Sequence, residues 1–308
     1  MHHGLASTFV VGAAAAFAFL TPPGRASAAV LADDDFDYPT PGDLAGNGGW
    51  GFVGTATGAG NIDPTVGSGS LADPDRPAGF GNKVFLDGTS PAGVAKLTTM
   101  ADQALASGTV FYSMQLTVTS NAGNLSNTTG SFIAGYSIND TLAPGATSVA
   151  TAAGALMIHR DPLDTNFYNL GIGVTENTAD RQFDAAPLAA NTPYFVVVGY
   201  EFGAGTDDDV ARIWINPAPG TYGAAVAPTG VDADLNYEDS TGADNITATD
   251  RATLASFFLR NNSTAPDGIE IDDLLIGNTW AEVTAVPEPG AAVLASLALA
   301  LAGCRRRS

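Results

Sequence analysis

The fold is decided by the stretch Val110-Phe111-Tyr112-Ser113-Met114-Gln115-Leu116-Thr117-Val118. Apolar and polar residues alternate from Tyr112 to Val118, and Val110, two residues before Tyr112, has the same parity as the apolar residues. Successive side chains of a β-strand point to opposite faces, so this alternation gives the strand one apolar and one polar face. The apolar face carries Val110, Tyr112, Met114, Leu116 and Val118, and the polar face carries Ser113, Gln115 and Thr117. We therefore predict a strand that lies with one face on a hydrophobic core.

Short runs of the same type recur along the chain, separated by Gly, Asn, Asp, Thr and Pro, which is typical of all-β sandwiches and barrels. Tyr194–Phe202 and Val210–Asn216 flank a loop too long for a tight turn and are predicted to form a hairpin. Helical periodicity is nearly absent, and Asp250–Ser256 is expected to form at most a short turn. The sequence thus predicts one all-β domain, either a β-sandwich or a β-barrel. Its other predicted strands are Lys83–Asp87, Ser131–Ile138, Ala155–His159, Phe167–Val174, Ala255–Arg260 and Ile269–Ile276.

The composition excludes some classes of function. The 308 residues include 32 Asp and Glu but only 12 Lys and Arg, which gives a net charge of −20. Such a chain repels nucleic acid and anionic membrane surfaces and attracts cations, so we expect no nucleic-acid partner. Cys304 is the only cysteine, so no disulfide within the chain can form.

The C-terminal residues have the order of a sorting signal. Val286-Pro287-Glu288-Pro289 precedes an apolar run over residues 291–303, and Arg305, Arg306 and Arg307 follow it. This order resembles the PEP-CTERM sorting signal of Gram-negative bacteria, which a membrane transpeptidase called exosortase reads. The resemblance implies an exported protein that is held briefly in the inner membrane, processed near Pro287–Pro289 and delivered to the cell surface or extracellular matrix. An ordinary C-terminal membrane anchor is the alternative, although the run is short for a permanent span.

The N-terminal residues agree with export. An apolar, Ala-rich run over residues 5–20 is followed by Pro22-Pro23-Gly24 and by Ala26-Ser27-Ala28, which has the form of a signal peptidase cleavage site. His2 and His3 stand where a signal peptide usually has Lys or Arg. We therefore divide the chain into a signal peptide (1–28), a β-sandwich domain (29–284) and a sorting and anchor segment (285–308).

Four stretches carry a second resemblance. Residues 35–38 with 46–50 look like the first strand of concanavalin A-like, laminin-G-like jelly rolls, and residues 271–283 look like the last. The pair 191–197 and 211–217 fits the central hairpin of that fold. The resemblance implies a jelly-roll sandwich that binds glycan or protein, hydrolyses glycan, or acts at the surface without a small ligand.

Glu270 and Asp272 are the first candidates for catalysis, since they share a strand face as in laminarinase-type glycoside hydrolases. The second glutamate of that motif is absent, because Leu274 and Leu275 stand where it would fall. His159 is the only histidine after the signal peptide, which excludes a zinc site built on several histidines. We expect no enzymatic activity, with a diverged glycoside hydrolase as the alternative.

Calcium is the cofactor that the acidic loops favour, because it takes six to eight oxygen ligands. One candidate site is Asp207-Asp208-Asp209 in the predicted hairpin loop. The other is Asp232, Asp234 and Asn236, whose spacing resembles the start of an EF-hand loop. Tyr237 replaces the glycine of that loop and Ala243 its last glutamate, so this is not an EF-hand. Solvated acidic loops without a metal are the alternative.

Trp214 is the candidate for sugar stacking, since it shares a predicted strand face with Arg212 and Asn216. An aromatic ring beside polar groups is a common way to bind the apolar face of a sugar. The expected partner is a polysaccharide or a surface protein, in addition to signal peptidase and exosortase during export. A purely structural matrix protein is the remaining alternative.

Overall fold

A computed structural model describes most of the chain between residues 30 and 285. The described residues are 30–53, 64–72, 81–88, 93–100, 102–105, 107–120, 130–140, 149, 151–161, 163–164, 166–176, 181–205, 208–228, 235–236, 250–262 and 264–285. Within these ranges, no helix has the length and apolar character needed to cross a membrane. The predicted signal peptide and the sorting residues Pro287, Glu288, Pro289 and Arg305–Arg307 lie outside the described residues, and the three domain limits remain predictions.

The regular elements among the described residues are β-strands, one short α-helix and a single 3-10 turn at Pro219–Thr221. In chain order, the strands are β1 (Ala32–Asp34), β2 (Gly42–Asp43), β3 (Trp50–Val53), β4 (Thr65–Gly67), β5 (Lys83–Leu86), β6 (Gly93–Leu97), β7 (Gly108–Ser120), β8 (Ser131–Ser137), β9 (Ala152–Arg160), β10 (Phe167–Gly173), β11 (Arg181–Phe183), β12 (Leu188–Ala189), β13 (Tyr194–Phe202), β14 (Val210–Ile215), β15 (Leu235–Asn236), β16 (Ser256–Asn261) and β17 (Gly268–Gly277). The helix, α1 (Trp280–Thr284), follows β17.

The strands form two antiparallel sheets, which confirms the all-β prediction. Sheet A has the order β15-β14-β13-β7-β17-β5-β4-β2, and β1 also pairs with β17. Sheet B has the order β11-β10-β9-β8-β16-β6-β3, and β12 also pairs with β10. One hydrophobic core contains side chains of both sheets, so the sheets pack face to face as a β-sandwich.

The central strand of sheet A is β7, and its apolar face lies in the core as predicted. The Tyr112 ring packs edge-on against Tyr136 of β8 and Phe257 of β16, at centroid distances of 5.3 and 5.0 Å. The Tyr112 hydroxyl donates to the Gly154 carbonyl of β9 at 2.9 Å. One residue of the alternating stretch therefore ties sheet A to three strands of sheet B.

The polar face of β7 is buried as well, because later parts of the chain cover it. Ser113 donates through Oγ to the carbonyl oxygen of Val283 in α1, at 2.6 Å. Gln115 donates through Nε2 to Oδ2 of Asp273 in β17, at 2.6 Å. The alternation predicted which side chains share a face, whereas the burial of both faces depends on residues far away in sequence.

The predicted hairpin is confirmed. Strands β13 and β14 pair in antiparallel register from Val196 opposite Ile215 to Glu201 opposite Val210. Ala211 and Ile213 face the core, as expected.

Both ends of the domain differ from the expected strands. The first strand ends at Asp34, before the expected stretch of residues 35–38. The Asp34 carboxylate accepts from the Phe36 amide at 2.8 Å, and Phe36 has a φ of 53°, so the backbone turns there instead of extending.

The last strand ends at Gly277, and the residues beyond it form the helix α1 rather than more strand. Thr279 and Glu282 form a capping box, in which each side chain accepts from the backbone N–H of the other residue. This satisfies free N–H groups at the start of the helix. The T-x-x-E spacing of Thr279 and Glu282 is visible in the sequence and could have indicated this helix, which the sequence analysis did not predict.

Candidate metal and ligand-binding sites

Three aspartates meet where the β13–β14 hairpin loop contacts the chain leading to β16. Asp208 and Asp209 precede β14, and Asp250 comes from a segment about forty residues later. One carboxylate oxygen of each lies within 4.8 Å of the others. Asp208 and Asp209 were predicted metal ligands. Asp250 was not, because no local spacing links it to the other two.

Backbone hydrogen bonds hold this triad in place. Oδ1 of Asp250 accepts from the amides of Asp208 and Asp209, at 2.9 and 3.1 Å. Asp209 accepts from the Gly203 amide at 2.9 Å and from the Arg251 amide at 2.9 Å. It also accepts from the Tyr200 hydroxyl, and burial followed by this hydrogen bond raises the pKa of Tyr200 well above its ordinary value. The triad therefore has a fixed backbone geometry.

The donor set fits a hard divalent cation. Oδ2 of Asp208 accepts from the Gly205 amide at 2.7 Å, but Oδ1 is buried and has no hydrogen-bond partner. A buried carboxylate oxygen without a partner is unfavourable, and a cation would satisfy it. The guanidinium of Arg251 does not serve this purpose, because it donates to the Ala152 carbonyl and to Glu176. The three carboxylates can thus hold a metal ion.

The structure does not bring the other predicted metal ligands to this triad. Asp207, Asp232 and Asp234 lie outside the described residues. The backbone of Asn236 belongs to β15 and pairs with Arg212 of β14.

Trp214 lies on the outer face of sheet A, but that face is not open. The indole is 3% exposed and packs against Trp280 of α1 and Phe111 of β7, at centroid distances of 5.1 and 6.1 Å. Tyr222, Ala224 and Ala227 complete this outer cluster. The prediction of an open aromatic platform is corrected, because the helix and the segment after β14 cover the ring.

The two polar companions of Trp214 bind within the protein. Arg212 forms an ion pair with Glu201 on the neighbouring strand. Asn216 follows β14, has a φ of 46° and accepts from the Phe195 amide through Oδ1 at 2.7 Å. Both side chains therefore stabilise the hairpin.

The carboxylates of β17 also have partners inside the fold. Glu270 pairs with Lys83 of β5 at 3.0 Å. Asp272 is 0% exposed and accepts from the amides of Leu71 and Asp273, at 2.7 and 2.8 Å. A β-bulge separates Asp272 from Leu275, and Asp273 has a φ of 51°. Asp272 thus holds the residue 64–72 segment against the bulge.

Asp272 makes the stability of the fold depend on pH. Burial raises its pKa from 3.8 to about 7, and the charges of Asp273 and Asp35 add to this, while the two amide hydrogen bonds lower it. Between about pH 4 and about pH 7, Asp272 keeps its proton in the folded protein but has released it in the unfolded chain. The contribution of Asp272 to the free energy of unfolding is therefore fully present below about pH 4 and is lost as the pH rises through about 7.

We expect the wild type to lose stability relative to Asp272→Asn as the pH rises from about 5 to about 8, because asparagine does not titrate there. Urea unfolding of both proteins at the two pH values measures this change in the difference between their free energies of unfolding. A difference that stays constant would show that Asp272 does not titrate in this window.

Comparisons with known proteins do not assign a family. No family model matches the chain, and no curated protein matches it. Solved structures similar to it include the carbohydrate recognition domain of Emp47p, at 12% identity and a TM-score of 0.39 over 78% of this chain and 94% of that one. The cellulose-induced protein Cip1 has 12% identity and a TM-score of 0.39 over 75% and 91%. An endo-β-1,4-glucuronan lyase from the fungus Trichoderma reesei has 12% identity and a TM-score of 0.37 over 66% and 82%. At such low similarity we transfer no activity or ligand from these proteins.

Proposed function

We propose that this chain is an exported surface or matrix protein whose jelly-roll sandwich, of concanavalin A-like type, binds a glycan or another surface component without catalysing a reaction. The observation that carries the proposal is the triad of Asp208, Asp209 and Asp250. It fixes the β13–β14 loop to the segment before β16 and offers a buried carboxylate oxygen to a cation. Calcium suits this all-oxygen set, and it would stabilise the loop as a rigid surface for sugar hydroxyls.

The test is a glycan array with the purified full chain, in calcium and again in EDTA. We expect binding in calcium that EDTA abolishes, and a thermal midpoint that rises with calcium, because a ligand of the folded state stabilises it by about 2.7 kcal/mol at 100 times its dissociation constant. Asp208→Asn and Asp250→Asn should lose both effects. Asp267→Asn is the matched control, since it removes one charge from an exposed aspartate outside the triad.

The outcomes separate the two parts of the proposal. If the chain still binds glycan in EDTA, glycan recognition is supported and calcium is not required for it. No binding in either buffer would overturn glycan recognition, and the purely structural matrix protein would then be favoured if the chain self-associates.

The glycoside hydrolase alternative is less well supported. Its carboxylates, Glu270 and Asp272, bind Lys83 and backbone amides, so neither is free to act on a sugar. Release of reducing ends from a β-glucan would revive it. Export is addressed separately by mass spectrometry of the protein recovered from a host that carries an exosortase, because processing near Pro287–Pro289 would remove the arginines at 305–307.

A further inference from the structure

Lys96 of β6 is buried, although lysine is rarely buried without a counter-charge. It is 3% exposed, and no ion pair among the residues that the structure describes includes it. Its Nζ donates to Oδ1 of Asn139 at 2.8 Å, to the Ser137 hydroxyl at 3.1 Å and to the Asn139 carbonyl at 3.2 Å. All three acceptors are uncharged, so these contacts do not neutralise an ammonium group.

These surroundings favour the neutral amine of Lys96. Burial lowers the pKa of Lys96, and the charge of Asp140 raises it to a smaller extent. A neutral amine has a free lone pair and is a nucleophile, whereas an ammonium group is not. Lys96 therefore meets the electronic requirement for forming a covalent bond.

The side-chain amide of Asn139 is an acyl group within reach of this amine. Oδ1 of Asn139 lies 2.8 Å from Nζ and a C=O bond is about 1.2 Å long, so Cγ lies within about 4 Å of Nζ. Atoms that are about to react are typically held about 3–3.5 Å apart, so a rotation of the amide suffices to bring the two atoms together. The backbone of Asn139 is held in place by Ser256, whose hydroxyl donates to the Asn139 carbonyl at 2.6 Å.

The two side chains come from chain segments on either side of β16. Sheet B has the order β8-β16-β6, in which Lys96 pairs with Phe258 of β16 and Asn139 follows β8. A bond between Lys96 and Asn139 would therefore join two strands that do not pair with each other. The chain has no other covalent way to do this, because Cys304 is its only cysteine.

We propose that Lys96 and Asn139 form an isopeptide bond that cross-links β6 to the end of β8. The lone pair of Nζ forms a bond to Cγ of Asn139, the bond between Cγ and Nδ2 breaks, and one molecule of ammonia leaves. The proton that Nζ releases passes to the departing Nδ2, so the reaction needs no oxidant or reductant. Asp140, whose charge acts on Lys96, carries that proton. The cross-link does not depend on glycan binding.

The test is mass spectrometry of the purified full chain after denaturation. We expect a mass that is lower by one ammonia molecule than the sequence between the observed termini requires. A tryptic digest should contain one cross-linked species that includes both Lys96 and Asn139, and trypsin should not cleave after Lys96 because its side chain is an amide. Lys96→Arg and Asn139→Ala should both have the full mass of their sequences.

Lys83→Arg is the matched control, because Lys83 and Lys96 are the only lysines of the chain. Lys83 pairs with Glu270 at 3.0 Å, so its replacement should leave the ammonia loss unchanged. Asp140→Asn should form the bond more slowly, which would be seen as a mixture of the linked and unlinked masses. Thermal midpoints identify any variant that has lost its fold, and the mass of the wild type does not depend on any variant.

A wild-type chain of unmodified mass, with Lys96 and Asn139 in separate tryptic peptides, would overturn the proposal. An ammonia loss that persists in Lys96→Arg would also overturn it, since the loss would then arise at another site. Neither result would affect the proposed glycan binding, which the array measures independently.

Discussion

Replacing Trp280 by alanine should lower the free energy of unfolding by about 3–5 kcal/mol, since this is the range for truncating a large buried aromatic side chain. The indole is buried between Trp214 and Phe111, at centroid distances of 5.1 and 6.2 Å. Its Nε1 also donates to the Thr221 carbonyl at 2.9 Å. Truncation leaves a cavity under α1 and removes the donor from that carbonyl. Urea unfolding followed by circular dichroism measures the loss.

Two variants calibrate this result. Trp280→Phe keeps an aromatic ring and loses the hydrogen bond, so it should cost less than the alanine variant. Leu163→Ala alters an exposed leucine and should change stability by less than about 0.5 kcal/mol. If Trp280→Ala were as mild as Leu163→Ala, the helix would not be a stabilising part of the domain.

The second large effect is expected at Asp34, which is 7% exposed and joins three parts of the N-terminal region. Its Oδ2 accepts from the Trp50 indole at 2.6 Å and the Tyr38 hydroxyl at 2.8 Å, and its Oδ1 accepts from the Phe36 amide. Asp34→Ala leaves these donors unsatisfied, each at about 1–3 kcal/mol, so we expect a total loss of about 3 kcal/mol or more. Thermal and urea unfolding at neutral pH measure it.

The matched control is Asp37→Ala, which removes an exposed carboxylate three residues away. It should leave the unfolding midpoint nearly unchanged. Asp34→Asn should lie between the two, because its amide oxygen can still accept from Phe36 while its amide nitrogen faces the Trp50 donor. Equal effects of Asp34→Ala and Asp37→Ala would refute the role of Asp34 as an organising acceptor.

Local pattern was sufficient for the hairpin and for the longest strands, whereas β2, β4, β6, β11, β12 and β15 were not predicted. The alternation in β7 reflects a period of two that any strand with one face on a core must show, so its core face was predictable residue by residue. The β13–β14 hairpin was predictable because its strands are neighbours in sequence. Helix α1 was missed although Thr279 and Glu282 have capping-box spacing, since five residues give no helical periodicity.

The sites were less predictable, because each depends on residues that meet only in the folded chain. Asp208 and Asp209 were identified from an acidic loop, but their third partner, Asp250, comes from a distant segment. Trp214 was assigned to the correct face, yet nothing near it in sequence indicates that Trp280 covers it. The unpartnered oxygen of Asp208 and the contact of Lys96 with Asn139 could not be inferred from the sequence, because hydrogen bonding depends on all neighbours in space.

By itself, the sequence determined the all-β class, the strand faces and the acidic character of this protein, since these follow from the local order and identity of residues. The tertiary structure decided which polar groups are buried and which are brought together. It placed Asp250 beside the hairpin loop, closed α1 over Trp214, and set Asn139 beside Lys96. The physical reason is that burial and charge proximity arise from contacts between distant segments, which a local pattern does not specify.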